Sequence, residues 1–185
     1  TLKFDGTGIF GDNTDGTGLV RDIEINHGVT IAGKRVLLLG AGGAARGVML
    51  PLIGRRPAEL VIANRTVEKA RDLASHFSRW GRCTASPFEA LGTAAFDLVI
   101  NATSASVAGA LPPLRDGVFA ADSLAYDMMY GAKAQIFLEF ARGLGATQTA
   151  DGLGMLVEQA AESFFLWRGV RPQTAPVLAM LRGAR

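Results

Sequence analysis

The sequence predicts an α/β fold of the Rossmann type, a doubly wound parallel sheet with helices on both faces. A short apolar run, Arg35–Leu39, leads directly into the glycine-rich turn Gly40-Ala41-Gly42-Gly43, and a helical pattern begins at Ala44. Strand-like and helical segments then alternate along the chain. This alternation is typical of parallel sheets in which a helix connects each strand to the next.

The composition is that of a folded chain. Of the 185 residues, 49% are hydrophobic and 19% are charged, which is enough apolar material for a sizeable core. The formal net charge is only +2 and the basic residues are scattered, so we expect no nucleic-acid partner. No apolar stretch approaches the ~20 residues of a membrane span, and no signal segment is visible. Because Cys83 is the only cysteine and no intrachain disulfide can form, we expect a cytoplasmic location.

Metal sites and disulfides are not expected. Cys83 is the only cysteine, and it has no metal-ligand spacing with the two histidines, His27 and His76. His27 lies where a helix is expected to end, and we interpret it as a surface residue.

The expected elements follow from the spacing of apolar residues and from turn signals. Two short strands, at 2–4 and 8–11, come first. A helix then runs from a polar turn at 12–16 to about residue 26, with Leu19, Ile23 and Ile25 facing inward. The remaining strands are expected at 35–39, 59–63, 83–85, 96–100 and 123–126. The remaining helices are expected at 44–52, 66–77, 133–144, 154–167 and 172–181, with a single helical turn at 87–91.

The glycine-rich turn predicts a binding site for a nucleotide pyrophosphate. Gly40 permits a tight turn, Gly42 lets the backbone approach phosphates, and Ala45 stands where a third glycine keeps the helix close to the strand. The first amides of the following helix have no partner within the helix, so they favour an anion. The alternative interpretation is a purely structural tight turn.

The end of the second strand of the sheet favours NADP over NAD. An NAD site usually has an acidic residue there, about 20 residues past the glycine turn, to bind the ribose 2′-hydroxyl. Here the strand ends in Asn64-Arg65-Thr66, and the first carboxylate is Glu68. Arg65 can bind a 2′-phosphate through two hydrogen bonds, Thr66 can donate another, and Lys69 adds a positive charge. The alternative is a solvated arginine beside a helix start.

Three polar segments follow strand ends, where ligands bind in open α/β sheets. They are Asn101-Ala102-Thr103-Ser104, Asp127-Met128-Met129-Tyr130 and Ala150-Asp151-Gly152-Leu153-Gly154-Met155, and Gln159 lies one helical turn beyond the last. Each segment alone could be ordinary turn and capping chemistry. Asp15, in Asp12-Asn13-Thr14-Asp15, could likewise be no more than a helix cap.

Taken together, these motifs resemble those of the shikimate dehydrogenase family. The resemblance covers the whole chain, and six motifs carry it in the family's order and spacing. They are Gly11-Asp12-Asn13-Thr14-Asp15-Gly16, Gly40 to Ala45, Asn64-Arg65-Thr66, Asn101-Ala102-Thr103-Ser104, Tyr126-Asp127-Met128-Met129-Tyr130 and the run from Asp151 to Ala161. The resemblance implies reduction of 3-dehydroshikimate to shikimate with NADPH, a step of aromatic amino-acid biosynthesis.

The resemblance also implies roles for individual residues. In the family a Lys–Asp pair serves proton transfer; Asp15 matches the aspartate, and no lysine of this sequence matches the lysine. Met155 and Ala102 are expected near the nicotinamide. The residues carried over are Gly40, Ala41, Gly42, Gly43 and Ala44 for the pyrophosphate; Asn64, Arg65, Thr66 and Lys69 for the 2′-phosphate; Met128 and Gly152 for the nicotinamide; and Asp15, Tyr130 and Gln159 for shikimate.

Chains of this family are longer than this sequence, and the resemblance implies an N-terminal substrate domain before Thr1. Residues 1–30 are then expected to bridge to that domain, 31–150 to bind NADP and 151–185 to pack toward the substrate cleft. We therefore expect this chain to bind NADP(H) but to be nearly inactive alone.

The sequence departs from the family pattern in two places. Lys69 is more often arginine, and in Ser104-Ala105-Ser106-Val107 many relatives carry glycine at the third position. Two other functions stay open: a non-catalytic NADP-binding or sensing module, and a quinate/shikimate relative that uses NAD. Asp15, Tyr130 and Gln159 argue against the module, and Arg65 argues against NAD. A homodimer of the full-length protein is a further hypothesis.

Overall fold

The computed structural model describes residues 1–6, 8–92, 94–103 and 111–183. Its strands are β1 (Leu2–Asp5), β2 (Gly8–Gly11), β3 (Arg35–Leu39), β4 (Glu59–Ala63), β5 (Thr84–Ser86), β6 (Phe96–Asn101), β7 (Phe119–Asp127) and β8 (Gln148–Asp151). Its α-helices are α1 (Asp15–Arg21), α2 (Gly43–Gly54), α3 (Val67–Phe77), α4 (Ala132–Gly143), α5 (Leu153–Arg168) and α6 (Ala175–Gly183). A π-helix (Asp22–Asn26) continues α1, and a 3₁₀-helix (Phe88–Ala90) follows β5.

Strands β3 to β8 form one parallel sheet in the order β5-β4-β3-β6-β7-β8. Counted from β3 as the first strand, this is the 3-2-1-4-5-6 order of the Rossmann fold, so the predicted fold class is confirmed. From β3 the chain adds β4 and β5 on one side, and it then crosses over to add β6, β7 and β8 on the other side, so the strand order reverses between β3 and β6. In sheets of this kind the ligand crevice lies at the reversal, outside the carboxyl ends of the strands.

Both faces of the sheet are covered, because the side chains of each strand alternate between them. In β3, Val36 and Leu38 face a core shared with α1, α2 and α3, whereas Leu37 and Leu39 face a core shared with α4. All four side chains are fully buried. The unbroken apolar run of the sequence is therefore that of a strand buried on both sides, as is usual in parallel sheets.

Helix α1 packs closely against α2 and α5, because glycine occupies the contact points. A Cβ added at Gly16 would lie 2.6 Å from Cγ of Pro51 in α2, and one added at Gly18 would lie 2.7 Å from the backbone nitrogen of Gln159 in α5. Carbon atoms do not approach other atoms so closely, so any larger residue at these positions would push the helices apart. This packing fixes the position of Asp15, the first residue of α1.

The first helix differs from the expected one. Its α-helical part ends at Arg21, and the π-helix carries the chain to Asn26. Ile23 is fully buried, but Ile25 is 60% exposed, so the expectation that Ile25 faces inward is wrong. Residues two positions apart lie on nearly opposite sides of a helix, and the inward side is taken by Ile23 and Asp22.

Strand β8 was not among the expected elements. It is an edge strand that pairs in parallel with β7, and Gln148, Thr149 and Asp151 give it no apolar run to signal a strand. Strand β7 begins at Phe119, four residues before the expected start. In both cases the pairing with a neighbouring strand, rather than the local sequence, determines the strand.

Strands β1 and β2 form a separate antiparallel hairpin. Its four large apolar side chains, Leu2, Phe4, Ile9 and Phe10, are each more than half exposed. Among the helices of the described ranges, none combines the length and the apolar character that crossing a membrane requires.

Candidate cofactor and substrate site

The glycine-rich turn lies at the carboxyl end of β3, directly beside the end of β6. Gly40 has φ +106°, a conformation that disfavours residues with a Cβ, and its amide donates to the carbonyl of Ala63 at 2.7 Å. A Cβ on Gly40 would also lie 3.1 Å from the carbonyl oxygen of Ala102. Around Gly42 and Gly43, by contrast, there is open space. The turn is thus tight on the protein side and accessible on the outer side.

The first turn of α2 is suited to an anion. The first bond within this helix runs from the amide of Arg46 to the carbonyl of Gly42, so the three preceding amides have no acceptor within the helix. No acidic residue lies in this first turn. Free amides and the positive end of the helix dipole together favour a phosphate group. Ala45 is fully buried, as expected for the residue that packs the helix on the strand.

A cationic segment follows β4, the neighbouring strand. Arg65 and Lys69 are exposed, and in the described ranges no carboxylate lies within ion-pair distance of either. The nearest carboxylate in the sequence, Glu68, pairs with Arg71 at 3.4 Å. Thr66 precedes α3 without a side-chain capping bond, and Asn64 Nδ2 donates to its carbonyl oxygen at 2.8 Å.

Side chains at the ends of β6, β7 and β8 hold the loops in place. Asn101 Nδ2 donates to Asp127 Oδ2 at 3.0 Å, and Asp127 Oδ1 accepts the amide of Met129 at 2.8 Å. Asp151 Oδ2 accepts the amide of Gly131 at 2.9 Å. For Asn101, Asp127 and Asp151 the structure therefore supports turn chemistry. The motif residue Ser104, with the following Ala105, Ser106 and Val107, lies outside the described residues.

These loops and α5 enclose a cavity of about 370 Å³ at the carboxyl edge of the sheet. It brings together residues that the sequence analysis assigned to both ligands: Ala44, Met128 and Gly152 from the cofactor set, and Asp15, Tyr130 and Gln159 from the substrate set. Ala102 and Met155, expected near the nicotinamide, line it as well. The residues Asn64, Arg65, Thr66 and Lys69 lie outside this cavity, at the end of β4.

A second cavity, of about 530 Å³, adjoins the first. Its walls are mainly polar and include Asp12, Asn13, Thr14 and Ser163. Asp15 and Gln159 line both cavities, and no other residue of the described ranges does. These two side chains therefore mark the boundary between the cavity at the sheet edge and the polar cavity.

The carboxylate of Asp15 is not a helix cap. The amide of Asp15 is capped instead by the side chain of Asn13, whose Oδ1 accepts it at 2.9 Å. Among the described residues, no hydrogen bond or ion pair engages the Asp15 carboxylate. The Gln159 side chain is held by Thr14, which donates to Oε1 at 3.2 Å, and by the carbonyl of Leu156.

A buried group at the π-helix was missed in the sequence analysis. The carboxylate of Asp22 is fully buried and accepts hydrogen bonds from Tyr126 at 2.6 Å and from Asn26 at 2.8 Å. His27 Nε2 lies 3.6 Å from it and its ring meets the ring of Tyr126 edge-on. The interpretation of His27 as a surface residue is therefore wrong, since its side chain is only 18% exposed.

A second buried carboxylate, Glu158, was missed as well. It is 1% exposed and accepts a hydrogen bond from Arg21 at 2.9 Å and one from Thr174 at 2.6 Å. The available signal for Asp22 and Glu158 in the sequence was that each is an acidic residue at an inward-facing position of a helix. No local pattern, however, identifies partners that lie so far along the chain.

Burial and hydrogen bonding act in opposite directions on the pKa of Asp22. Burial raises the pKa of this carboxyl, but the nearby imidazole of His27 and the hydrogen bonds from Tyr126 and Asn26 lower it by more, so the net pKa lies below the ordinary value of 3.8. Burial and the neighbouring Asp22 charge raise the pKa of Tyr126 well above its ordinary value. At neutral pH the pair is therefore a carboxylate and a neutral phenol. In the described ranges no cluster of acidic residues, histidine and cysteine could hold a metal ion.

The lowered pKa of Asp22 predicts acid sensitivity. The stability that it contributes is fully present above pH 3.8 and is lost as the pH falls through the lower pKa of the folded state. We expect Asp22→Asn to lower the free energy of unfolding at pH 7 by about 1–3 kcal/mol and to shrink that deficit toward acid pH. Urea unfolding between pH 7 and pH 3 measures this. Asp72→Asn, at an exposed site, should keep the free energy of unfolding of the parent protein over the same pH range. A deficit of Asp22→Asn that does not change with pH would contradict the lowered pKa of Asp22.

Two family models match the chain: Shikimate / quinate 5-dehydrogenase over residues 23–108, and Shikimate 5'-dehydrogenase C-terminal domain over residues 152–182. The shikimate dehydrogenase (NADP(+)) of Nitrosospira multiformis is 60% identical over 184 residues, which is 100% of this chain and 67% of that protein. The chain thus spans about two thirds of the length of this curated relative.

Solved structures agree with the sequence comparison. An Ael1 enzyme from Pseudomonas putida has a TM-score of 0.91 and 50% identity, over 97% of this chain and 66% of its own. Shikimate 5-dehydrogenase from Thermus thermophilus, solved in complex with NADP(H) and shikimate, has a TM-score of 0.81 and 30% identity, over 100% of this chain and 67% of its own. Fold, motifs and identity lead to one conclusion: the chain belongs to the shikimate/quinate dehydrogenase family.

Proposed function

We propose that this chain is the NADP-binding part of a shikimate dehydrogenase, which reduces 3-dehydroshikimate to shikimate with NADPH. The observation that carries the proposal is the cavity at the sheet edge. It joins Met128 and Gly152, assigned to the nicotinamide, with Asp15, Tyr130 and Gln159, assigned to the substrate. A module that only binds a nucleotide has no need of the last three side chains beside the cofactor.

The phosphate groups of NADP fit the residues beside this cavity. The accessible turn at Gly42 and Gly43 and the free amides of α2 suit the pyrophosphate. Arg65 and Lys69 supply positive charge for a 2′-phosphate, and the carboxylate that could repel it is paired with Arg71. We therefore assign Asn64, Arg65, Thr66 and Lys69 to the adenosine side of the cofactor.

The chemistry needs a proton donor beside the reacting carbonyl. NADPH, when bound, supplies a hydride to the carbonyl carbon of the substrate. The carbonyl oxygen gains charge as this happens and must receive a proton. We assign to the carboxylate of Asp15 the role of orienting and polarising a proton-donating lysine, and its position at the boundary of the two cavities supports this assignment. The four lysines of this sequence, Lys3, Lys34, Lys69 and Lys133, line neither cavity.

The lysine is therefore proposed to come from the additional third of the chain that the relatives possess. Residues 1–30 would bridge to that part, and the exposed apolar face of the β1–β2 hairpin supports this assignment. Residues 31–150 would bind NADP, and residues 151–185 would pack toward the substrate. A cytoplasmic location and a homodimeric assembly stay predictions.

The isolated chain should bind NADP without efficient turnover. We expect calorimetry to register binding of NADP+ by the chain of residues 1–185. The rate of NADPH oxidation with 3-dehydroshikimate should be lower than that of a protein with the N-terminal part by about 10²–10⁴-fold or more, because proton transfer and substrate positioning are missing. Efficient turnover by this chain would contradict the proposed division of labour. A full-length protein that binds NADP but never oxidises NADPH with this substrate would instead be a binding module.

Arg65 should set the preference for NADP over NAD. Arg65→Ala removes charged hydrogen bonds to the 2′-phosphate, each worth about 1.5–3 kcal/mol, so the Kd for NADP+ should rise about ten- to hundredfold while that for NAD+ changes little. Calorimetric titration with both nucleotides measures the difference. Arg71→Ala, a neighbouring surface arginine that pairs with Glu68, is the matched control. An equal loss of affinity for NADP+ and NAD+ would contradict a contact between Arg65 and the 2′-phosphate.

Asp15 should matter for catalysis and not for cofactor binding. In the full-length protein, Asp15→Asn keeps the shape of the side chain but removes its charge, so kcat should fall about 10²–10⁴-fold as expected for a group in proton transfer. The Kd for NADP+ should stay within about twofold of the parent value. Asp116→Asn, at an exposed site, serves as the control for removal of a surface carboxylate. A parent-like kcat in Asp15→Asn would refute the role.

A further inference from the structure

We infer that Tyr126 and Asp22 form a positioning pair, which holds the first turn of α5, and with it Met155, against the cavity at the sheet edge. The inference rests on the proposed function, because that function places the nicotinamide in this cavity. Tyr126 and Asp22 do not line the cavity themselves. They act through the first turn of α5, to which the cavity-lining Met155 belongs.

The hydroxyl of Tyr126 donates a hydrogen bond to Asp22 Oδ2 at 2.6 Å. Tyr126 is fully buried, so water is not positioned to replace its hydroxyl. The phenol thus fixes the Asp22 carboxylate from the side of β7.

Asp22 completes this arrangement from the other side. A Cβ added at Gly154 would collide with both oxygens of the Asp22 carboxylate, so the carboxylate lies directly against the first turn of α5. A negative charge at the N-terminal end of a helix is stabilised by the helix dipole. Asn26 donates to the same carboxylate at 2.8 Å and keeps it oriented. Glycine at 154 is therefore needed for close approach.

The pair ties together two walls of the cavity. Tyr126 precedes Met128 by two residues in the chain, and the amide of Met128 is bonded to the carbonyl of Asn101 at 3.0 Å. Met155 lies on the opposite element, at the start of α5. The contact that runs from Tyr126 through the Asp22 carboxylate to Gly154 therefore sets the distance between the strand-end loop and the helix. In a hydride transfer a misplacement of about 1 Å can lower the rate about 10²-fold.

The Glu158 group serves as an internal comparison. Thr174 donates to Glu158 Oε1 at 2.6 Å, and Glu158 lies one turn further along α5 than Met155. Thr174→Val removes a partly buried hydrogen bond to the same helix without touching its first turn. Ser123, on the same strand as Tyr126, is fully buried and its hydroxyl has no hydrogen-bond partner among the described residues, so Ser123→Ala controls for a change within β7.

Single-turnover kinetics of the full-length protein test the pair. With NADPH deuterated at C4, Tyr126→Phe and Asp22→Asn should each slow the isotope-sensitive step about ten- to hundredfold, with a KM for 3-dehydroshikimate that stays within about threefold. Thr174→Val and Ser123→Ala should keep the parent rate per folded molecule. A folded Tyr126→Phe protein with the parent rate and isotope effect would overturn the inference. A parent protein without any turnover would instead contradict the proposed function.

Proton exchange tests the same contact without any substitution and without activity. In the chain of residues 1–185, the hydroxyl proton of Tyr126 should give a proton magnetic resonance signal in water, because burial and the hydrogen bond to Asp22 slow its exchange with solvent. This result is expected even if both variants fail to fold. A Tyr126 hydroxyl proton that exchanges as fast as that of an exposed tyrosine would overturn the positioning role.

Discussion

Close contact between helices at two glycines is the constraint on which the proposed site depends. Gly16 and Gly18 let α1 lie against α2 and α5 at distances that exclude any side chain. Helix α2 begins at the glycine-rich turn and α5 carries Gln159, so α1 brings Asp15 to the boundary between the sheet edge and the polar cavity. A Cβ at either glycine would separate Asp15 from the groups with which it is proposed to work.

Two buried carboxylates hold these helices in register with the sheet. Burying a charge is costly unless hydrogen bonds or an opposite charge compensate for it. Asp22 is compensated by Tyr126 of β7 and by Asn26, and Glu158 by Arg21 and by a hydroxyl beyond α5. Each carboxylate thus joins elements that are distant in the chain. The partners of the two carboxylates therefore connect α1, β7 and α5.

The strand ends show a division between residues that build the loops and residues that reach the cavity. Asn101 and Asp127 bond to each other and to the backbone, whereas Met128 and Tyr130, from the same motif, line the cavity. The motif as a string of letters does not separate these two roles. Geometry separates them, because Asp127 belongs to β7 and is fully buried, whereas Met128 and Tyr130 lie beyond the end of the strand.

Features that depend only on neighbours along the chain could be predicted from the sequence. The apolar run of β3, the turn at Gly40 with its positive φ, and the cationic segment at Arg65 are local features, and the structure has them where they were expected. Three features depend on packing between distant elements: the polar edge strand β8, the partial burial of His27, and the hydrogen bond from Tyr126 to Asp22, which are 104 positions apart. The physical reason is that a local pattern records which surfaces of an element are apolar. Which distant polar group a buried side chain meets is set only when the strands and helices pack.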